Sequence, residues 1–188
     1  MLLRGRPGDT GAAAERVRRM KRILKVIDNI SENVGSFGRW FVVALILVGV
    51  FEVTMRYVFT RPTVWAYETS SMLGGTVYAF GWAYALLHES HIRVDVLFNR
   101  LSMRSRAIVD AIVSLAFFFP LIGMLAYRAI FWAERAWSRK LVMMESYWYA
   151  PQWPFRCVLA FGICLLLLQG IAKFVRDVHF AVKGSPLD

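Results

Sequence analysis

Residues 41–59 read FVVALILVGVFEVTMRYVF. The stretch carries no charge until Glu52, and no polar face at any helical period. An amphipathic helix of a soluble core would show one. A segment crossing a bilayer would not, and about 20 such residues in a helix traverse its hydrocarbon. Glu52 and Arg56 are spaced i, i+4, so the two charges can pair on one face of the span.

Working outward from this first span (residues 40–59), the same criterion finds three more, at residues 65–87, 108–132 and 153–174. The last is centred on LAFGICLLLLQGIA, residues 159–172. The chain has 188 residues, of which 57% are apolar and 19% charged. A soluble domain holds about a quarter charged residues. This composition excludes a disordered chain and a disulfide scaffold. Four spans and their connections leave no room for a separate soluble catalytic domain. The reading is an all-α integral membrane protein, with a four-helix transmembrane domain over residues 37–178.

The net charge of +10 serves orientation rather than nucleic-acid binding, because the basic residues flank apolar spans. The segment before the first span holds nine Lys and Arg, the middle connection four and the final tail three. These make sixteen of the 23 in the chain, and four spans put all three segments on one side. Both termini are therefore expected in the cytoplasm. The first apolar run starts too late for a cleaved signal peptide and is followed by Arg56 and Arg61, so it reads as a retained span.

Residues 1–14 read as a mobile tail and 179–188 as a C-terminal tail. Between the first tail and the first span, residues 15–36 repeat Val17, Met20, Leu24, Ile27, Ile30 and Val34, with Arg and Lys on the other faces. This predicts a basic amphipathic helix lying on the membrane surface, near anionic lipids, or packed on a partner. The connection at residues 88–106 predicts a short interfacial helix. Tyr57, Trp65, Trp132, Trp137, Tyr147, Trp148, Tyr149 and Trp153 gather at the non-cytoplasmic boundary as an aromatic belt. The second span repeats small residues at Ser71, Gly75, Ala79 and Ala83. Such a stripe lets helix backbones approach closely, within this bundle or against a partner helix.

Charges within spans are the first places to seek function. Glu52 and Arg56 qualify, as does Glu68 near the start of the second span. Neither inverted repeats nor broken spans accompany them, which argues against autonomous transport. His88, His91 and His179 lie near the cytoplasmic boundary rather than at mid-depth, where a membrane haem is held. A cytochrome-like redox subunit using them is the alternative, and a small exporter acting alone is a third. Cys157 and Cys164 are too few for a closed zinc site. No G-x-S-x-G, P-loop or H-E-x-x-H motif is present. No catalytic, cofactor or metal residue is assigned.

Four segments carry a resemblance over roughly residues 35–178. They are RYVF (56–59), WAYE (65–68), GWAYALLHESHIRVDVL (81–97) and APQWPFRCVLAFGICLLLLQG (150–170). HIRVD after a Gly-rich span is the most specific. The chain resembles the small membrane subunit of TRAP (tripartite ATP-independent periplasmic) transporters, the DctQ-like family. Its last segment is similar to a branch named for mannitol or chloroaromatic compounds, a label that does not identify the substrate. The resemblance implies a non-catalytic subunit of the bacterial inner membrane. Such a subunit braces the scaffold of a large multi-span, elevator-type subunit for sodium-coupled uptake, typically of an organic acid. A periplasmic substrate-binding protein delivers the solute and docks transiently. The chain ends at Asp188 soon after the fourth span, so the large subunit is expected to be a separate polypeptide. Arg56, Trp65, Glu68, His91, Arg93 and Asp95 match family positions. With Glu52, Ser71 and Gly75 they are the candidate interface or structural residues.

Overall fold

A computed structural model describes residues 7–88, 103–145 and 147–184. Among the described residues there are five α-helices: α1 (Pro7–Tyr57), α2 (Ala66–Leu87), α3 (Met103–Val113), α4 (Phe119–Ser138) and α5 (Trp153–Lys183). A π-helical segment, Ser114–Phe118, joins α3 to α4 without a break. Among the described residues there is no β-strand; an isolated antiparallel bridge, Val142 to Pro151, ties the α4–α5 connection. Among the described residues three stretches are long and apolar enough to cross a membrane: Val17–Tyr57, Met103–Ser138 and Trp153–Lys183. The all-helical class and the membrane character follow. α2 is 22 residues long, about 33 Å, but Ser, Gly and Tyr dilute its hydropathy.

The largest departure from the sequence reading is α1. The sequence suggested a tail, a surface helix and a separate span, whereas residues 7–57 form one helix. Gly35 and Gly38, near the boundary expected at residues 36–37, do not break it. They lie under the rings of Tyr84 and Phe80 of α2, so close packing holds the ladder continuous. The stripe Met20, Leu24 and Ile27 packs against Ala172 and Val175 of α5 rather than being left for lipid. Ile30, from the same stripe, is exposed.

The helix through the third span is longer than residues 108–132 at both ends, and it widens before Pro120. Proline has no N–H to donate and its ring crowds the carbonyl four residues back. A π turn relieves both. Within that turn the Phe118 ring covers Gly170 of α5, and Phe119 meets Phe174 edge-on at 5.4 Å. α5 likewise continues past residue 174. It ends at Gly184, whose φ of 69° closes the last turn. Arg104 caps that end, donating from Nε to the Ala181 carbonyl at 2.7 Å and from Nη2 to that of Val182 at 3.3 Å. The predicted interfacial helix falls mostly on residues 89–102, outside the described residues.

α5 is the hub and touches every other helix, while α1 packs chiefly on α2 and α4 on α5. The centre is close-packed through small residues. A Cβ built on Gly162 of α5 would stand 2.6 Å from the Ala79 carbonyl oxygen of α2, and one on Gly75 2.5 Å from the Phe155 ring. Ala79 and Ala83 are fully buried. In lipid, where apolar side chains gain little by meeting each other, such contact is what binds helices. Phe41, Phe80 and Phe161 extend it as edge-to-face pairs from α1 through α2 to α5. The flanks are open: none of the most apolar stretch of Met103–Ser138 is buried.

Candidate functional site

Polar groups gather at two places along α1, its C-terminal end and its middle. At its C-terminal end, Glu52 organises the turn into α2. Its Oε1 accepts from Arg56 Nη2 at 2.6 Å and Nε at 3.1 Å. Its Oε2 accepts from the Thr63 backbone N–H at 3.1 Å and from the Thr63 hydroxyl. Both oxygens are thus engaged, and the side chain is only 14% exposed against 56% for Arg56. The i, i+4 spacing indicated the arginine; it gave no sign of Thr63, which a loop folding back brings in. Phe51 stacks on Trp65 at 5.7 Å, tying the same turn to α2. A groove of about 340 Å³ opens beside it, lined in part by Glu52, Arg56, Tyr67 and Ser70.

Glu68 follows in the first turn of α2 and is fully buried. A carboxylate there is favoured by the positive end of the helix dipole. Gly75 lies in the α2–α5 contact, while Ser71 on the same stripe is exposed. Glu52, Arg56, Trp65 and Glu68 therefore share one end of the bundle, with Gly75 deeper in it. His91, Arg93 and Asp95 lie outside the described residues.

The other end holds a cluster that sequence reasoning missed. The Ser31 hydroxyl donates to Gln169 Oε1 at 2.9 Å, and Gln169 Nε2 donates to Asp28 Oδ1 at 3.0 Å. Arg176 donates to Asp28 Oδ2. Ser31 and Gln169 are 0% and 1% exposed. One residue of α5 thus links two positions of α1, and Arg176 neutralises the carboxylate. The available signal was Gln169 itself, an amide in an apolar run that has to be satisfied somewhere. Nearby, His88 closes α2. Its Nδ1 lies 3.1 Å from the Tyr84 carbonyl and its Nε2 3.4 Å from Glu32 of α1. Among the described residues no group of three His, Cys, Asp or Glu side chains is placed to hold a metal. The polar groups on view fasten helices and turns; they do not present a nucleophile with its base.

The DctQ component of tripartite ATP-independent periplasmic transporters matches residues 45–180. The chain belongs to the DctQ family. All nine candidate residues from the sequence fall inside that match, whereas Asp28 and Ser31 precede it. A curated relative is the C4-dicarboxylate TRAP transporter small permease protein DctQ of Vibrio cholerae serotype O1. It is 35% identical over 126 residues, which cover 62% of this chain and 50% of the relative. The chain thus spans about half the length of the curated relative that it matches. The family is a transporter component and not an enzyme.

Proposed function

We propose that the chain is the small permease subunit of a TRAP secondary transporter in a bacterial inner membrane. It braces the scaffold of a separate, large, elevator-type subunit for sodium-coupled uptake of an organic acid or related solute. The match to the DctQ component over residues 45–180 carries this reading. The open apolar flanks support it, since a brace needs surface for a partner. A C4-dicarboxylate is a suitable first substrate to test, given the name of the Vibrio relative.

The topology proposed has four spans, with α2 the second, and both termini in the cytoplasm. The distribution of basic residues favours it. The contact of His88 at the end of α2 with Glu32 supports a cytoplasmic limit of the first span near Glu32 rather than Trp40. Lys25, Arg22 and Lys21 then stand about 10–16 Å beyond it along α1. Lys25 thus stands at about the Debye length of 8–10 Å over which anionic headgroups attract it, with Arg22 and Lys21 beyond. The Glu52–Arg56–Thr63 turn, Trp65 and Glu68 lie at the periplasmic boundary, where a substrate-binding protein docks transiently. His91, Arg93 and Asp95 lie at the cytoplasmic one, available to the large subunit.

The test is purification of the tagged chain in a gentle detergent, with mass spectrometry of what accompanies it. A co-purifying polypeptide of about ten or more spans is expected. Recovery of the chain alone, across several mild detergents and nanodiscs, would overturn the scaffold role.

A further inference from the structure

Two arginines on the α4–α5 seam remain outside every network described so far. The guanidinium carbon of Arg128, on α4, lies 5.6 Å from the centroid of the Trp132 indole. That of Arg156, on α5, lies at the same distance from the same ring. Among the described residues neither guanidinium has a carboxylate within ion-pair distance. Two like charges held against one indole repel each other, and the ring faces offset only part of that cost.

The backbone adds to the positive field. Arg156 is in the first turn of α5, which contains no acidic residue and whose N-cap, Gln152, makes no side-chain cap. The positive end of the helix dipole therefore points where a second cation already sits. Anions are drawn to such a place. Trp132 is six residues before the end of α4, so it lies about 9 Å below that end along the helix, and Arg156 reaches its ring from the first turn of α5. Under the topology proposed above, this is the periplasmic boundary of the bilayer.

We propose that Arg128, Trp132 and Arg156 bind the phosphate of an anionic phospholipid of the periplasmic leaflet. The surface beneath the cluster fits the rest of such a molecule. Leu121, Leu125, Arg128 and Trp132 follow one another at i, i+4, i+7 and i+11, on one face of α4. All four are exposed. A headgroup at Arg128 thus has its acyl chains running down Leu125 and Leu121 towards the bilayer centre. Uncompensated positive charge above an exposed apolar stripe is the complement of an anionic lipid. This site is at the opposite side of the membrane from the basic stretch of α1.

The test is native mass spectrometry of the full chain, with whatever large subunit accompanies it, after delipidation in mild detergent. Phosphatidylglycerol, phosphatidylcholine with the same acyl chains and inorganic phosphate are the probes. The intact protein should retain phosphatidylglycerol about tenfold more tightly than phosphatidylcholine. The Arg128→Gln, Arg156→Gln double variant should lose that preference, while Arg139→Gln keeps it. Should the double variant fail to fold, Trp132→Leu leaves both charges in place and should weaken the preference by removing their support. Equal retention of the two lipids, or a preference unchanged in the double and Trp132 variants, would overturn the proposal. Displacement of the lipid by millimolar phosphate would instead mark a free-anion site. Loss of the large subunit from the double variant with lipid retention intact would assign the face to that subunit. Either result would overturn the lipid assignment.

Discussion

The two polar networks on α1 differ in how far along the chain their members lie. At the end next to α2, Glu52 takes its partners from four and eleven residues away. Midway along α1, the bonds joining Asp28 and Ser31 to Gln169 and Arg176 span 138 to 148 residues. The first network shapes a turn and leaves Arg56 in the open. The second fastens one helix to another, with Gln169 and Ser31 removed from solvent. An exposed bond competes with water and contributes little. A buried one is costly to leave half-made. The contrast assigns local order to the C-terminal end of α1 and global stability to its middle.

Gln169→Leu should break this contrast most severely. It strands the Ser31 hydroxyl and removes one donor from Asp28, a loss of about 3 kcal/mol. Tryptophan-fluorescence unfolding of the detergent-solubilised chain measures it. A loss no greater than that of a Glu52 variant would erase the distinction. Gly162→Leu separates polar fastening from close packing. Its side chain would press on the Ala79 carbonyl, so about 2 kcal/mol should be lost with both networks intact. The same melting experiment shows whether packing or the polar cluster matters more.

A double-mutant cycle on Asp28→Ala and Arg176→Ala should report a coupling of about 1 kcal/mol, since both side chains are partly exposed. Zero coupling would reduce the cluster to its Ser31–Gln169 and Gln169–Asp28 bonds. The smallest global effect is expected from Glu52→Gln. The unfolding midpoint should hardly move, while amide hydrogen exchange quickens over residues 58–65 and nowhere else. Faster exchange throughout α1 would mean that the Glu52 turn also supports the whole helix.

These differences also mark what could be read from the residues in order. The Glu52–Arg56 pair was legible because helical spacing alone brings i and i+4 together. Thr63 was not, because a loop has to turn back to reach Glu52. The stripe Met20, Leu24 and Ile27 was legible as a face to be covered. Periodicity says that a face is buried but not against what, so its cover, Ala172 and Val175 of α5, stayed hidden. The change from an amphipathic to an apolar pattern near residue 37 read as a boundary between two helices. Gly35 and Gly38 are points of contact there with Tyr84 and Phe80, and only the neighbouring helix shows that α1 runs on. The π turn before Pro120 was not read from the third span at all.

Hydropathy, charge distribution and short-range spacing are properties of a segment by itself. They determined that this chain is helical and membrane-embedded, and the four quoted segments pointed to its family. The uninterrupted course of α1, the Gly162–Ala79 contact, the Gln169 cluster and the indole shared by Arg128 and Arg156 were decided only in three dimensions. Each depends on which helices meet and at what height. That choice is made by small residues and single polar groups, whose energies matter only once a partner at the right depth is present.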